Sequence, residues 1–486
     1  MNVLTSTQMR EWEKTAVASG VSVADLMETA VAGCLRIIQE AVPHPRPTIV
    51  LCGKGNNGND GLALAYELEK RGWPVEVFLT HPPRERAPHP LPHLGAFLQG
   101  AATWPAQPEE IHHPKLVIDA LLGLGAKGAI GGVMREMLEW CRIQKKNRDV
   151  YVSIDLPSGL DPDTGKPDEV AFQADITCAI GAVKQGCVAD AALPFVGKIE
   201  TVPLPQLPFL PTNQEWMTKE VVATLARRLP IGIHKHSRGR VNIWAGSVGM
   251  LGAAELAARA ALRGGAGLVK LYLPPELFAA VQTPEIITRA APTNAPLSDD
   301  FFECHACVIG PGLGRDDTTR NRFFDTLHRL KQPAVFDADA LYFLSTNLEQ
   351  LEQISAPFIL TPHTGEMERL CGTKDNRAKS AADWTQKHRG VLVLKGPHTV
   401  VAEQNRPLSF NGSGNPGMAT AGMGDALAGM LGSLLAQSYA PWDAARLGVF
   451  WHGLAADIAA RAASEQSIIA SDVIEHLGAA WRALLE

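Results

Sequence analysis

Gly414-Asn415-Pro416-Gly417-Met418-Ala419-Thr420-Ala421-Gly422-Met423-Gly424-Asp425-Ala426-Leu427-Ala428-Gly429-Met430 is the stretch on which the reading of this chain turns. Its glycines let the backbone approach a ligand, and the apolar run beyond Asp425 reads as a helix whose first amides have no partner within the helix. Such a helix start favours an anion. A carboxylate there lies within reach of a bound phosphate and of the hydroxyl that would attack it, the position of a general base in phosphoryl transfer. Taken alone, Gly422-Met423-Gly424-Asp425 is equally compatible with a glycine-rich connection in which Asp425 merely caps the helix. The strands upstream decide between the two.

After a helix around residues 219–229, a strand at residues 241–245 leads to Ser247-Val248-Gly249-Met250-Leu251-Gly252 and an alanine-rich helix. The next strand is 268–273. The strand at 306–309 ends in Gly310-Pro311-Gly312-Leu313-Gly314, and that at 334–336 in Asp337-Ala338-Asp339-Ala340-Leu341. The strand at 358–360 ends in Thr361-Pro362-His363-Thr364-Gly365-Glu366, and that at 391–394 in Lys395-Gly396-Pro397-His398-Thr399. Strand after strand closes in a small-residue or polar loop, which predicts an α/β sandwich with its site along one sheet edge. Cys304-His305-Ala306-Cys307 looks like half of a metal site, but no second such pair exists, so it reads as a strand carrying small buried thiols.

The first half repeats the design. Thr5-Ser6-Thr7-Gln8 has the capping-box pattern, and a second helix follows Ser22. The strand Thr48-Ile49-Val50-Leu51-Cys52 runs into Gly53-Lys54-Gly55-Asn56-Asn57-Gly58-Asn59-Asp60-Gly61, read as a loop before a helix from Leu62. Gly53, Gly55 and Gly58 satisfy GxGxxG, but the second strand ends in Leu79-Thr80-His81 without the acid of a dinucleotide fingerprint. The asparagines and Asp60 suggest side-chain oxygens holding a polar ligand or a hard cation. Asp119 and Asp155 each end an apolar strand beside a glycine turn, Ala120-Leu121-Leu122-Gly123-Leu124-Gly125-Ala126-Lys127-Gly128 and Leu156-Pro157-Ser158-Gly159. Three such loops on one edge point to a ligand site, and Lys184, after the strand 176–180, either reaches that edge or is an ordinary surface lysine.

With 486 residues, the chain is long enough for two domains. Residues 203–211 hold four prolines and read as the connection, giving 1–210, a linker 211–218 and 219–486. The 46% hydrophobic and 20% charged content is that of an ordinary globular protein, and the net charge of −6 argues against nucleic acid as partner. No apolar run reaches membrane-spanning length, and the N-terminus lacks a basic region followed by a hydrophobic signal core. With eight cysteines spread along the chain, the expectation is a cytoplasmic protein with reduced thiols. The apolar N-terminal helices fit a homo-oligomer as well as packing within the domain.

The first ~210 residues resemble the YjeF N-terminal family, the NAD(P)H-hydrate epimerases, through the Gly-Asn-Asn-Gly-x-Asp, Asp-Ala-Leu-Leu-Gly and Asp-Leu-Pro-Ser-Gly stretches. The resemblance implies a Rossmann-like three-layer domain. It implies that Asn56, Asn57, Gly58, Asn59, Asp60, the turn Gly123, Leu124, Gly125, Ala126, Lys127, Gly128, Ala129, and Asp155 contact a hydrated nicotinamide nucleotide. It also implies a potassium ion near Asn57, Asp119 and Ser158; Asp155 and Lys184 are the candidates for the proton transfers of epimerisation. Asn59 departs from the usual glycine of this loop.

The second half resembles the ribokinase-like fold and, within it, the YjeF C-terminal family, the ADP- or ATP-dependent NAD(P)H-hydrate dehydratases. The carriers are Ile309 to Gly314, Asp337 to Leu341, Thr361-Pro362-His363 and Gly422 to Asp425, with Thr364 replacing the usual proline. The resemblance implies that Ala253, Gly312, Gly314, His363 and Asp425 contact the hydrate. The nucleotide then lies against Lys395, Gly396, Pro397, His398, Thr399 and Gly424, its phosphates bridged by magnesium. Together the halves imply a bifunctional repair enzyme that interconverts the R and S hydrates and dehydrates the S form by phosphorylation, with Asp425 as base. The alternative is a ribokinase-like small-molecule kinase with a non-catalytic nucleotide-binding N-terminal domain.

Overall fold

A computed structural model describes residues 1–105, 113–125, 128–372 and 376–486. Contacts divide the chain into two units, Met1–Gln214 and Glu215–Glu486.

The first unit is built on the parallel strands β2 (Thr48–Cys52), β3 (Val75–Leu79), β4 (Ala102–Thr103), β5 (Leu116–Ala120), β6 (Val150–Ile154), β7 (Ile176–Ile180) and β9 (Lys198–Val202). They are ordered β4-β3-β2-β5-β6-β7-β9. A separate pair joins β1 (Val3–Leu4) to β8 (Val183–Lys184). Alternate strand residues serve opposite faces. Val50, Ile118 and Val152 pack under the helices Ser6–Ala18, Val23–Ala41 and Asn56–Glu69, whereas Ile49, Leu51 and Val117 meet Met137, Leu138 and Cys141 of the helix Gly132–Gln144. Three layers result, as the resemblance implies. The chain runs outward from β2 through β3 and β4, then returns to β5 on the other side. That reversal opens a crevice at the carboxyl ends of β2 and β5.

The second unit holds β10 (Gln214–Met217), β11 (Arg240–Trp244), β12 (Leu268–Leu273), β13 (Ile287–Ala290), β14 (Ala306–Ile309), β15 (Ala334–Phe336), β16 (Phe358–Leu360), β17 (Val391–Leu394), β18 (Val400–Ala402) and β19 (Leu408–Asn411). Their order is β10-β19-β18-β17-β16-β15-β14-β11-β12-β13, antiparallel from β17 to β18 and from β18 to β19. The second reversal falls between β11 and β14. One face packs on the helices Leu251–Arg263, Met423–Ala436 and Pro441–Ala462; the other carries the cluster Phe323, Phe336, Phe343 and Phe358.

Several expectations change. Residues 211–218, read as linker, contain β10, because Trp216 and Met217 are buried at the edge of the second sheet. The helix expected over 219–229 ends at Ala223. Asn56 to Gly61, read as loop, form the first turns of the helix Asn56–Glu69. Likewise Asp425 stands in the first turn of Met423–Ala436, behind Gly422 with φ +89°. Cys307 lies buried in β14 with its Sγ 3.4 Å from that of the half-buried Cys304. Among the described residues no helix is long and apolar enough to cross a membrane.

Candidate active sites

In the first unit, two glycines make the crevice floor possible. A Cβ on Gly53 would lie 1.8 Å from the Leu121 carbonyl oxygen, and one on Gly58 would lie 1.7 Å from the Gly53 oxygen. Only hydrogen fits at either place. This close approach brings Asn57 against the next loop, where its Nδ2 donates to the Leu122 carbonyl at 2.7 Å. The other amide atom, Asn57 Oδ1, is buried with no hydrogen-bond partner.

Asp119 is fully buried at the end of β5. Its Oδ1 accepts from Ser158 Oγ at 2.6 Å and from Leu121 N at 3.1 Å, and its Oδ2 from Ser158 N at 2.7 Å and Ser153 Oγ at 3.2 Å. Burial nevertheless pushes this carboxyl up to about 6, outweighing those donors. Ser158 Oγ in turn accepts from Leu122 N at 3.0 Å, so Leu122, whose carbonyl Asn57 holds, is tied through Ser158 to Asp119.

Beside it, Asp155 takes a positive φ of 73°, which a non-glycine residue adopts at a cost. Its Oδ1 pairs with the Lys184 ammonium, itself 1% exposed and donating also to the carbonyls of Ile180 at 2.8 Å and Ala182 at 3.1 Å. Burial, reinforced by the charges of Asp155 and Glu13, raises Asp60 well above the carboxylate range. Burial and then Asp155 also raise Glu13, on the helix Ser6–Ala18. One turn earlier, Arg10 Nη2 donates to the Leu124 carbonyl. Neither Arg10 nor Glu13 figured in the sequence reading. Of the predicted turn, Leu124 is half-buried and Gly125, Gly128 and Ala129 are exposed, while Ala126 and Lys127 lie outside the described residues.

In the second unit the carboxyl ends of β11, β14, β15, β16 and β17 converge. Ser247 Oγ donates to the Gly312 carbonyl at 2.8 Å, and a Cβ on Gly312 would meet Ala253 Cβ at 3.3 Å. Gly314 N donates to Asp339 Oδ2 at 2.9 Å. Ala253, Gly312 and Gly314 thus share one lip of the site.

His363 caps the helix Thr364–Cys371. Its Nδ1 accepts from Gly365 N at 3.0 Å and Glu366 N at 3.3 Å, while Glu366 Oε2 accepts from His363 N at 2.9 Å. With Nδ1 an acceptor, the neutral ring carries its proton on Nε2. Lys395 N donates to the Pro362 carbonyl at 2.8 Å, which ties the His363 loop to the nucleotide loop. Within that loop, Thr399 Oγ1 donates to the Gly396 carbonyl at 2.9 Å, His398 has φ +51°, and its ring lies 4.9 Å from that of Trp216.

At the centre, Lys395 Nζ pairs with Asp337 Oδ1 at 2.7 Å. Burial would lower this lysine, but Asp337, Glu366 and Asp425 hold it above its ordinary value. At Gly424 a Cβ would stand 3.0 Å from Lys395 Nζ and 3.6 Å from Asp337 Oδ2, so any side chain there would press on the lysine. Asp425 follows, its carboxyl pushed from 3.8 up to about 7 by burial first and by the charge of Asp337 next, against the pull of Lys395. Below it, Asp457 clamps the approach to the helix, accepting from Gly414 N and Asn415 Nδ2, each at 3.0 Å. Asp337, Glu366 and Asp457 carry no expected role from the sequence, although the first two stand in the loops Asp337 to Leu341 and Thr361 to Glu366.

Comparison with known proteins agrees with both halves. Residues 241–477 match the family model described as NAD(P)H-hydrate dehydratase, and residues 23–186 that of the YjeF-related protein N-terminus. A bifunctional NAD(P)H-hydrate repair enzyme of Moorella thermoacetica is 34% identical over 100% of this chain and 98% of its own. That of Coxiella burnetii is 34% identical over 97% of each. The ADP/ATP-dependent NAD(P)H-hydrate dehydratase of Bacillus subtilis, co-crystallised with ATP and Mg2+, superposes with a TM-score of 0.50 at 28% identity, over 56% of this chain and 100% of that one. With two parallel-sheet units each carrying a strand-end site, and full-length relatives at this identity, the chain belongs to the family of bifunctional NAD(P)H-hydrate repair enzymes.

Proposed function

We propose that this protein repairs hydrated nicotinamide nucleotides, equilibrating the R and S hydrates in its first unit and dehydrating the S hydrate in its second with ADP or ATP. The observation that carries the reading is Asp425, a carboxyl poised near neutrality in the first turn of a helix beside a lysine.

The hydrate hydroxyl is a poor leaving group. Asp425 takes its proton, and the hydroxyl oxygen bonds to the terminal phosphorus as the bond to the donor's bridging oxygen breaks. The helix amides and Lys395 hold the charge that develops. Phosphate then departs with the oxygen, a proton leaves the neighbouring ring carbon, and the double bond of NAD(P)H returns. AMP or ADP and phosphate remain. Ala253, Gly312, Gly314 and His363 would hold the hydrate, and Lys395 to Thr399 with Gly424 the nucleotide.

Among the described residues no group of three metal ligands stands together. Asp337 and Glu366, beside Lys395, would hold a magnesium ion that arrives with the nucleotide. When bound it would neutralise phosphate charge.

Epimerisation breaks and remakes the bond from carbon to hydroxyl. One group must protonate the departing hydroxyl and another must take a proton from the returning water. Asp155 and Lys184 are paired where they can exchange such a proton, beside the raised carboxyls of Asp60 and Glu13. The orphaned Asn57 Oδ1, with Asp119 and Ser158, supplies oxygens that suit potassium. That ion would supply positive charge to the buried Asp119.

The test is product analysis with the S hydrate and each nucleotide. Repair yields NADH absorbance and free phosphate; a stable phosphorylated product would favour the small-molecule kinase instead.

A further inference from the structure

Asn59 stands where the resembling family has glycine, and the structure gives it a partner. Arg86, buried on the segment after β3, donates from Nη1 to the Gly53 carbonyl at 2.5 Å and from Nη2 to Asn59 Oδ1 at 3.1 Å. His89, three residues on, accepts at Nδ1 from Leu91 N at 3.0 Å, so its proton is on Nε2, which donates to the Asn59 carbonyl at 3.0 Å. Asn59 is 8% exposed, Arg86 9% and His89 8%, so each of these bonds is made out of water. One guanidinium therefore ties the end of β2 to the first turn of the helix that follows. That turn carries Asn57, whose Nδ2 reaches the Leu122 carbonyl, and Asp60, whose buried carboxyl feels Asp155 and Glu13.

We infer that Asn59, Arg86 and His89 form a buried bracket that positions Asn56 to Asp60 for the hydrate, with Asn59 as its acceptor and Arg86 as the positioning residue. Asn59 is thus part of the machinery, and restoring glycine removes function rather than adding it. Without the amide, the Arg86 Nη2 donor has no acceptor in a site closed to water. The bond from Arg86 to Gly53 then no longer fixes the helix start. Displacement of the turn falls on the hydrate contacts, so the loss appears in KM for the R hydrate before it appears in kcat. This inference rests on the epimerase reading of the first unit.

The test uses the full chain and R-enriched hydrate, with ADP and magnesium so that the S form is drawn off. Asn59→Gly, Asn59→Ala and Arg86→Met are expected to raise the epimerase KM about ten-fold, Asn59→Asp to preserve it, and the Asn59→Gly, Arg86→Met double variant to be no worse than the weaker single. Dehydration of pure S hydrate by the same proteins stays unchanged. Hydrogen exchange of the amides from 53 to 61 is expected to accelerate in the three damaged single variants and not in Asn59→Asp. Epimerisation by Asn59→Gly at the wild-type KM with unaltered exchange would overturn the bracket. A wild-type chain without epimerisation would instead remove the functional reading, leaving the exchange result to decide whether the bracket exists.

Discussion

Asp425 joins two requirements that conflict in water: a carboxylate strong enough to take a hydroxyl proton and present in its ionised form at neutral pH. Its value near 7 sits at that compromise. Dehydration should therefore fall as pH drops through about 7, with an apparent pKa there in kcat/KM that Asp425→Asn abolishes along with about 10²–10⁴-fold of the rate. The sign for stability is opposite. Because the folded value lies above the ordinary 3.8, ionised Asp425 costs the folded state free energy above that pH. Asp425→Asn should stabilise the second unit increasingly from about pH 4 to 7 and then level off, by about 1–3 kcal/mol after screening. Thermal midpoints at pH 4, 6 and 8 check this, and a pH-independent difference contradicts it. In the other unit, Lys184→Met leaves Asp155 unpaired and should lower epimerisation about 10²-fold or more without affecting dehydration of pure S hydrate. Residues that end strands, such as Asp119, Asp155, His363 and Lys395, were legible because an apolar run and a glycine turn bracket them. Glu13 and Arg10 were not, since an acid and a base on an amphipathic helix look like solvent-facing residues until Leu4 pairs with Lys184 and lays that helix over the site.

At the scale of elements, both sites are helix starts fed by strands at a reversal of sheet order. Gly58→Ala places a methyl against the Gly53 carbonyl and should destabilise the first unit by about 3 kcal/mol or more, read as a lowered midpoint with the second unit's transition intact. Potassium at the Asn57, Asp119 and Ser158 oxygens should raise that same midpoint in a concentration-dependent way that lithium does not reproduce, and Asn57→Leu should abolish the effect. The strands β2, β3, β5, β6, β7, β11, β12, β14, β15, β16 and β17 emerged from the sequence because parallel strands buried on both faces read as short apolar runs, whereas the two-residue β1, β4 and β8 and the partly exposed β9 and β13 did not. The start of the helix at Asn56 did not, since glycines and asparagines carry no apolar periodicity in its first turn. The antiparallel pair β18 and β19 also escaped: each has only three or four residues, joined through Asn405 at φ +61°. β10 was hidden for a similar reason, being four residues close behind the prolines of the connection.

Across the whole molecule, each unit has its own sheet, its own core and its own strand-end site, so the two chemistries should fail independently. The logic of joining them lies in the substrate: hydration yields two epimers, and a dehydratase restricted to one leaves the other unless epimerisation feeds it. The most direct measurement adds the purified protein to a mixture of both hydrate epimers, with ADP or ATP and magnesium, and follows the NADH absorbance band after subtracting spontaneous epimerisation. The account predicts full recovery by the wild-type chain and none by Asp425→Ala. Recovery that stops at the share of one epimer would contradict the epimerase half, and no recovery with either nucleotide would contradict the repair function itself.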